Sequence, residues 1–405
     1  MVIGAQSVTL FVCGDVMLGR GIDQILPHPS DPTIYEHYMG SAVHYVRLAE
    51  RRYGPIPSPC SFDYVWGDAL ADLDTAQPLA RIINLETSIT TSMRPEPKGI
   101  NYKMNPDNVV CLKMAAVDCC VLANNHILDW GVSGLLETLS TLEREGIAVA
   151  GAGADAAQAA VPAIIDLPND RRVLVFGFGT TTSGIPREWA AAPSKPGVNL
   201  LPDLSLATAS EIAKRIVALR RPSDLVVASI HWGSNWGYQV DDEQRAFAHA
   251  LIDAGACDLL HGHSSHHPRG LEIYRDRPIL YGCGDFITDY EGIEGYEQFR
   301  GDLALAYLAS FEENGALSEF TVMPYQMRRF RLQRASQADV AWLQATWDRE
   351  SARFGTHIAL KDSRLVAVSH EDSVKPRAAP DPQIDADPGL ISDQVLAGRH
   401  ERRIK

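Results

Sequence analysis

The sequence lacks the excess of positive charge that proteins use to bind nucleic acids. Its 51 aspartates and glutamates outnumber its 37 lysines and arginines, and the formal net charge at pH 7 is −14. Nucleic-acid-binding proteins neutralise phosphates with clustered lysine and arginine, so this charge has the wrong sign for such a partner. With 45% hydrophobic and 22% charged residues over 405 positions, the composition is otherwise that of an ordinary globular protein. We therefore expect no nucleic-acid partner.

Features of export and membrane insertion are also missing. No stretch approaches the roughly 18 consecutive apolar residues that a membrane-spanning helix needs. The N-terminal residues lack the basic start and the long apolar core of a signal peptide. The seven cysteines are an odd number at scattered positions, which indicates reduced, mostly buried thiols and not a disulfide framework. These absences predict a cytoplasmic protein with no membrane segment.

Histidines, in contrast, are concentrated in one short stretch. Four of the 13 histidines, His261, His263, His266 and His267, fall within a seven-residue segment that lies between two apolar, strand-like runs. We expect this stretch to form a loop at a strand end, where a sheet commonly presents its chemistry. Neutral imidazole is the commonest metal-ligating side chain, so these histidines favour a site for one or two divalent ions. The alternatives are a solvated turn, or two ligands beside two bystanders.

Polar side chains able to bind a metal also follow several other predicted strands. They are Asp15, Glu86, Asn125 with His126, His231, and Asp285. Because the carboxyl ends of parallel strands lie at one edge of a sheet, we expect these groups to meet there. This recurrence is stronger evidence for a site than any single motif. Taken alone, Asp15 would also fit a helix cap, and His231 a buried histidine with a hydrogen-bond partner.

Further residues near these strand ends are candidates for binding a substrate. Arg20 could hold a carboxylate or phosphate through two parallel hydrogen bonds, or it could pair with a neighbouring acid. Trp232, Trp236 and Tyr238 closely follow His231 and could form an aromatic wall for a ligand. The predicted substrate-binding residues are Arg20, Asn84, Trp232, Trp236, Tyr238 and Asp285.

The alternation of predicted strands and helices indicates one large α/β domain over residues 1–330, with additions. Residues 27–66 have prolines at both ends and a helical stretch near 34–53, which predicts an inserted helical hairpin or lid. Residues 331–370 contain a predicted helix near 336–354 and are expected to form a helical C-terminal extension. Residues 371–405 are rich in proline and charge, which predicts a disordered tail.

Six motifs occur in an order that resembles a known family. They are Gly14-Asp15-Val16-Met17-Leu18-Gly19-Arg20, Asn84-Leu85-Glu86, Ala123-Asn124-Asn125-His126-Ile127-Leu128-Asp129, His231-Trp232-Gly233, Gly262-His263-Ser264-Ser265-His266 and Ile279-Leu280-Tyr281-Gly282-Cys283-Gly284-Asp285-Phe286. Together they resemble the CapA-like family, whose members are associated with poly-γ-glutamate capsule synthesis. The resemblance covers about residues 7–330. It implies a calcineurin-like metallophosphatase fold: an α/β, four-layer β-sandwich of two mixed sheets flanked by helices.

The resemblance also implies roles for individual residues. The implied metal ligands are Asp15, Glu86 as the bridging carboxylate, Asn125, His231, His263 and His266. His126 matches the acid beside the metals, and His261 and His267 lie outside the pattern as possible supporting groups. Two departures reduce the expected affinity of the first metal site: Met17 stands where the general pattern has a histidine, and Gly-His-x-x-His replaces Gly-His-x-His. Asp285 stands where related chains commonly carry asparagine, so it could be an extra ligand or a base.

The function implied by the resemblance is a divalent-metal-dependent hydrolase acting on a carboxylate- or phosphate-bearing substrate, such as a peptide or poly-glutamate. Metal-activated water would attack the substrate, His126 would protonate the leaving group, and Arg20 would bind substrate charge. The metal could be Mn, Zn, Fe, Ni, Mg or Ca, and no organic cofactor is expected.

Two alternatives remain open at this point. The first is a cofactor-independent peptide Cα epimerase, in which the metal or Arg20 holds a peptide carboxylate. Asp15 and one of His263, His266 or His267 would then remove and return the proton from opposite faces. The second is a non-catalytic module that binds an anionic polymer. The predicted catalytic residues over these possibilities are Asp15, His126, His266 and His267. The sequence does not indicate an oligomeric state.

Overall fold

The computed structural model describes residues 7–368 and contains both helices and strands throughout that range. In chain order, the strands are β1 Val8–Val16, β2 Thr33–Glu36, β3 Met39–Ser41, β4 Ala80–Leu85, β5 Ser88–Ile89, β6 Lys103–Met104, β7 Cys119–Val121, β8 Ala148–Ala150, β9 Ala152–Gly153, β10 Ala163–Leu167, β11 Arg171–Gly179, β12 Gly197–Val198, β13 Leu225–His231, β14 Leu259–His263, β15 Leu271–Tyr274, β16 Arg277–Leu280, β17 Asp285–Ile287, β18 Leu303–Phe311, β19 Leu317–Met327, β20 Leu332–Arg334, β21 His357–Lys361 and β22 Arg364–Val368. The α-helices are α1 Arg20–Ile25, α2 Val43–Tyr53, α3 Asp68–Ala76, α4 Val110–Met114, α5 Gly131–Arg144, α6 Ala156–Ala160, α7 Leu206–Leu219, α8 Asp242–Asp253 and α9 Gln337–Ala352.

Most strands belong to two mixed sheets. The larger sheet has the order β21-β22-β19-β18-β1-β4-β7-β8, with β17 paired to β1 and β20 paired to β19. The smaller sheet has the order β10-β11-β13-β14-β16-β15. Each sheet contains a parallel block, β1-β4-β7-β8 in the larger and β11-β13-β14-β16 in the smaller. Antiparallel strands border both blocks.

Three apolar layers hold the sheets and helices together. The two sheets share one buried cluster, in which Leu10 and Val12 of β1 lie with Val175 and Val227 of the smaller sheet. The other face of the larger sheet packs against α1 to α5, and the other face of the smaller sheet packs against α7 and α8. The result is a helix–sheet–sheet–helix arrangement, which confirms the predicted four-layer α/β sandwich.

The strand β1 shows why the candidate site lies where it does. From Leu10 to Cys13 its side chains alternate between the core shared by the sheets and the core under the helices, so both faces are buried and this stretch is apolar. The parallel neighbours β4 and β7 end at the same edge as β1. In the smaller sheet, β13 and β14 end side by side, with His231 opposite His263. Polar residues from both sheets therefore meet at one edge of the sandwich.

The inserted segment 27–66 differs from the predicted helical hairpin. Its first part is a β-hairpin of β2 and β3, and helix α2 begins only at Val43. The residues of β2, Thr-Ile-Tyr-Glu, are mostly β-branched or aromatic, which favours a strand. Helix α2 packs on α1 where Gly21, having no side chain, lets Tyr45 approach closely. The prediction that this segment forms a lid over the site stays a prediction.

The C-terminal extension is also less helical than predicted. It contains α9, as expected, but β20 and the hairpin β21–β22 extend the larger sheet beyond β19. The turn between β21 and β22 uses Asp362 and Ser363, which both have positive φ, as a tight hairpin requires. The predicted tail 371–405 lies outside the described residues. Among the described helices, none has the length and apolarity required to cross a bilayer.

Candidate metal centre

Asp15 lies at the centre of the polar edge, near the end of β1. It is fully buried and lies opposite Asp285 of β17 in the strand register. The two strands approach so closely that a Cβ on Gly14 would lie 1.6 Å from the carbonyl oxygen of Gly284. The glycine of the Gly-Asp motif thus allows β17 to bring Asp285 beside Asp15.

Two groups of potential metal ligands share Asp15. One group is Asp15, His231 and His263, and the other is Asp15, His266 and Asp285. Within each group, one ligand atom from every residue lies within 4.8 Å of the others, and all five residues are buried. A carboxylate shared by two ligand groups is the arrangement expected of a two-metal site. The resemblance had assigned the bridging position to Glu86, and that assignment stays a prediction.

The electrostatics of Asp15 and Asp285 fit a bound cation. Burial, followed by the charge of Asp285, raises the pKa of Asp15 to about 7, although His266, Asn84 and Glu86 oppose this shift. The Oδ2 atom of Asp285 is buried and has no hydrogen-bond partner in the described structure. Two buried carboxylates, one with an unsatisfied oxygen, are costly without a positive partner. The residues present therefore fit a divalent metal.

The histidines of the first group are held in the form that binds metal. The Nδ1 atoms of His231 and His263 lie 2.7 Å apart, a separation that needs a proton or a cation between them. Burial lowers the pKa of both rings well below its usual value, which favours neutral imidazole. The opposite nitrogen of His263 lies 2.9 Å from Ser229 Oγ, which also contacts His261. His261 Nε2 lies 2.6 Å from the carbonyl oxygen of Cys13 in β1. His261 is therefore held by β1 and contacts Ser229, the partner of His263.

Asn84, Glu86 and Asn125 surround these ligands. Asn84 Nδ2 donates to Asp15 Oδ1 at 2.7 Å, and Asn84 Oδ1 accepts a hydrogen bond from Asn124. Asn84 therefore positions Asp15. Both the donor and the acceptor of its fully buried amide make hydrogen bonds. Asn125 Oδ1 lies 3.1 Å from His231 Nε2, and Glu86 Oε1 lies 3.9 Å from the same nitrogen. Glu86 and Asn125 are thus beside the predicted ligand His231.

His126 is oriented towards the centre by a partner that the sequence motifs alone did not single out. Its Nδ1 lies 2.6 Å from Asp129 Oδ2, and its Nε2 lies 3.8 Å from Glu86 Oε1. The ring stacks on Tyr102 with a centroid separation of 3.8 Å. Lys98 Nζ donates to Asp129 Oδ1 at 2.8 Å, which balances the charge of that carboxylate. The spacing His126-x-x-Asp129 within its motif was the available sequence signal for this pair.

Arg20 does not occupy the position expected of a substrate-binding residue. Its side chain is buried, and its Nε and Nη2 atoms donate to the two carboxylate oxygens of Asp289. Its Nη1 donates to Glu36 Oε1 and to Tyr45 Oη. The alternative of pairing with neighbouring acids is therefore the observed one. Arg20 joins the inserted segment to the chain that follows β17.

The aromatic residues near His231 occupy two different environments. Trp232 is 1% exposed, donates from Nε1 to the carbonyl oxygen of Tyr281, and belongs to the core under α8, so it does not line a ligand wall. Trp236 is partly exposed and stacks on Tyr296 at 4.2 Å, with its ring 5.3 Å from that of His266. Tyr238 is also partly exposed, with its ring 4.6 Å from that of His267. Of these three aromatic residues, Trp236 and Tyr238 remain candidates for contact with a substrate.

His266 and His267 also occupy two different environments. His266 Nδ1 lies 3.0 Å from Asp285 Oδ1, within the second ligand group. The ring of His267 is fully buried, and its Nε2 accepts a hydrogen bond from the backbone N–H of Gly237 at 3.1 Å. Burial lowers the pKa of His267 to about 3. The predicted catalytic role of His267 is thus at odds with its position, because its ring is used to fix the loop that carries Trp236.

Met17 occupies the position at which the general metallophosphatase pattern has a histidine. It is fully buried in a small apolar cluster with Ile100 and Tyr102, and its Sδ accepts the backbone N–H of Gly19 at 3.2 Å. The position therefore supplies packing and no ligand nitrogen. Asp285 and His266 are the potential ligands on the other side of Asp15.

Known proteins are similar to this chain over most of its length. Residues 9–290 match the family model described as "Bacterial capsule synthesis protein PGA_cap". The chain is 48% identical over 364 residues to a probable polyglutamine synthesis accessory protein of Mycobacterium tuberculosis, covering 89% of this chain and 96% of that protein. It is 27% identical over 314 residues to the PGA biosynthesis protein CapA of Bacillus subtilis, covering 77% and 69%.

One solved structure is also similar in part. A 5′-nucleotidase precursor from Thermus thermophilus aligns with 84% of this chain and 59% of its own, at 14% identity and a TM-score of 0.41. The family assignment rests on the sequence match, which spans β1 to the segment after β17 and includes every potential metal ligand described above. The chain belongs to the bacterial capsule synthesis protein family PGA_cap, as the CapA-like resemblance predicted.

Proposed function

We propose that this protein is a divalent-metal-dependent hydrolase that cleaves a peptide or poly-glutamate chain. The observation that carries the proposal is the position of His126, held by Asp129 next to two buried ligand groups that share Asp15. The family to which the chain belongs, and the CapA relative described as a PGA biosynthesis protein, support a polymer of glutamate as the substrate class.

The ligand groups identify the residues that would hold the metal. Asp15, His231 and His263 would bind one ion, and Asp15, His266 and Asp285 a second. A bound divalent ion supplies a water that is deprotonated near neutral pH. Asn84 keeps Asp15 in place, and Ser229 keeps His263 in place, through the hydrogen bonds described above.

His126 is the residue placed to move a proton. Asp129 and Lys98 lie on the Nδ1 side of the ring, and Tyr102 covers one face, so the imidazole cannot rotate freely. Its Nε2 atom faces Glu86, whose Oε1 atom lies 3.8 Å away. A proton held at Nε2 can be given to the nitrogen or oxygen that leaves when the substrate bond breaks.

The two alternatives have weaker support. The epimerase mechanism needs the metal or Arg20 to hold a peptide carboxylate, and the donors of Arg20 are taken by Asp289, Glu36 and Tyr45, which leaves only the metal for that role. It also needs Asp15 and one of His263, His266 or His267 on opposite faces of the substrate. Asp15 instead lies 3.9 Å from His263 and in one ligand group with His266, and the ring of His267 is used to fix a loop. Binding alone does not require an imidazole oriented by a carboxylate, whereas proton transfer does. Hydrolysis is therefore the function that this geometry supports best.

The test is an incubation in ¹⁸O-labelled water with γ-linked glutamate oligomers or a phosphodiester, followed by mass spectrometry. We expect ¹⁸O in the fragments when Mn²⁺ or Zn²⁺ is present and none after EDTA treatment. His126→Ala should abolish the signal and leave the fold intact. An uncleaved oligomer that gains deuterium at Cα in a parallel D₂O incubation would instead establish epimerisation. Binding of the oligomer with no chemical change would establish the binding module.

A further inference from the structure

Tyr290 follows β17 closely and is fixed by its neighbour in the chain. Asp289 accepts hydrogen bonds from the guanidinium of Arg20 and, at 2.9 Å, from the backbone N–H of Gly21. Only a few residues separate Asp289 from Asp285, so the strand that brings Asp285 to the candidate metal centre also carries Tyr290 there. The position of Tyr290 is therefore set by the same strand as that of a potential ligand.

The hydroxyl of Tyr290 connects two parts of this centre. Its Oη lies 2.7 Å from Tyr102 Oη, which is a hydrogen bond between the two phenols. The ring of Tyr102 stacks on His126. The ring of Tyr290 stands edge-on to that of His266, with the centroids 5.4 Å apart and the planes at 88°. The pair of tyrosines thus contacts both the proposed proton donor and a potential ligand of the second group.

The hydroxyl of Tyr290 can donate to a ligand while it accepts from Tyr102. A phenol carries one proton and two acceptor lone pairs, and either oxygen of the pair can be the donor in their contact. Among the described residues, Tyr102 is the one hydrogen-bond partner of Tyr290 Oη. When Tyr102 donates, the proton of Tyr290 is available to a third group. Tyr290 is also partly exposed, whereas Tyr102 is 3% exposed, so a ligand has access to Tyr290.

The surroundings of the Tyr290 hydroxyl keep it protonated near two carboxylates. Desolvation by the surrounding protein, followed by the charges of Tyr102, Asp285 and Glu86, raises its pKa well above the usual value. Asp285 belongs to the second ligand group, and Glu86 Oε1 lies 3.8 Å from His126 Nε2. The neutral hydroxyl therefore lies among the groups that would surround a substrate.

We propose that Tyr290 is a further catalytic residue, whose hydroxyl donates a hydrogen bond to the substrate oxygen on which negative charge develops when water attacks. A donor that is fixed before the reaction stabilises the transition state more than the substrate, because the charge appears only during the attack. Tyr102 is a positioning residue, since its hydroxyl donates to Tyr290 and leaves the Tyr290 proton for the substrate. This inference rests on the proposed hydrolysis and adds no covalent step to it.

The first test removes the hydroxyl and keeps the ring. Tyr290→Phe should lower the kcat for γ-linked glutamate oligomers by roughly 100-fold and change the KM by less than about threefold. Tyr274→Phe is the matched control, because it removes a hydroxyl that donates to Asp253 and contacts none of the potential ligands. This control should keep the wild-type kcat. Equal kcat values in the two variants would overturn the proposal.

The second test measures binding and needs no turnover. A phosphinate analogue of γ-glutamyl-glutamate carries a tetrahedral oxyanion in place of the carbonyl group that water attacks. In calorimetric titrations of Mn²⁺-loaded protein, Tyr290→Phe should bind the phosphinate roughly 10- to 100-fold more weakly than wild type. Its affinity for unmodified tri-γ-glutamate and its Mn²⁺ content should change little, whereas a purely structural role would weaken both ligands alike.

The two tests separate the failure of this inference from the failure of the proposed function. Wild-type protein that binds the phosphinate but cleaves no oligomer would contradict the hydrolysis, and the comparison of affinities would still decide whether Tyr290 donates to an oxyanion. Equal phosphinate affinity in wild type and Tyr290→Phe would overturn the role of Tyr290, with or without turnover. Wild-type protein that binds no phosphinate would overturn both.

Tyr102→Phe tests the positioning role. It should lower the kcat and the phosphinate affinity by roughly threefold to tenfold, and the double variant with Tyr290→Phe should be no worse than Tyr290→Phe alone. Effects that multiply in the double variant would show that the two hydroxyls act separately, which contradicts the proposed pair. Should Tyr290→Phe fail to fold, wild-type kcat and phosphinate affinity in Tyr102→Phe would overturn the proposal.

Discussion

Asp129 Oδ2 lies 2.6 Å from His126 Nδ1, on the side of the imidazole opposite the nitrogen that faces Glu86. This contact fixes the tautomer of His126 and stabilises its charged form. We expect Asp129→Asn to lower kcat roughly 10- to 100-fold, with little change in KM or metal content. Asp224→Asn, which alters a buried carboxylate paired with Arg172 far from the centre, is the matched control. Equal activity of the two variants would exclude a role for Asp129.

The raised pKa of Asp15 predicts an unusual pH dependence of the metal-free protein. The folded chain keeps a proton on Asp15 up to about pH 7, while the unfolded chain loses it near the ordinary value of 3.8. The free energy of unfolding should therefore fall as the pH rises through this interval. Metal binding should remove the loss, because a ligated carboxylate is deprotonated.

Thermal unfolding at pH 5 and pH 8, with EDTA or with Mn²⁺, checks this expectation. Stabilisation by Mn²⁺ should be larger at pH 8, since at pH 5 the ion must displace the proton of Asp15. In Asp15→Asn, both the decline with EDTA and the stabilisation by Mn²⁺ should be much reduced. A decline of the same size in this variant would show that another group is responsible.

Arg20 is predicted to act on stability and not on substrate affinity. Arg20→Met would leave Asp289 and Glu36 buried without their cation, which should lower the free energy of unfolding by roughly 3–5 kcal/mol. Arg334→Met breaks the pair between the exposed Arg334 and the partly buried Asp72 and should cost less than about 1 kcal/mol. Denaturant unfolding and the KM of both variants test this. A stable Arg20→Met protein with a greatly raised KM would restore the substrate-binding interpretation.

The two tryptophans after His231 should respond differently to truncation. Trp232→Ala empties a fully buried core position and should cost roughly 3–5 kcal/mol of stability. Trp236→Ala removes a partly exposed ring near His266 and should lose less stability but raise the KM. Unfolding curves and steady-state kinetics separate the two effects. An unchanged KM for Trp236→Ala would remove this residue from the substrate path.

The four-layer arrangement and the convergence of the potential metal ligands at one edge of the sheets were predictable from the sequence, because both follow from simple patterns. Apolar runs such as β1 are buried on both faces, and a parallel block brings the residues after each strand to one edge. This rule is sufficient to bring Asp15, His231 and His263 to a common edge. It failed for the segment 33–41, where short strands and a turn occur within a region of helical appearance.

The roles of single polar residues were harder to predict, since they depend on partners far away in the sequence. Arg20 meets Asp289, which is separated from it by 269 positions, so the sequence could not show that its donors are taken. Trp232 and Trp236 are four residues apart, yet one enters the core and the other does not.

Metal analysis of the purified protein tests the central claim most directly. After exposure to Mn²⁺ or Zn²⁺ and removal of free ions, wild-type protein should retain about two ions per chain, as expected of a two-metal site. Asp285→Ala and His263→Ala should each retain about one, because each loses one of the two ligand groups that share Asp15. Asp15→Asn should retain almost none. Wild-type protein that binds no divalent ion, or an Asp15→Asn variant that binds as much as wild type, would contradict a metal centre at this site.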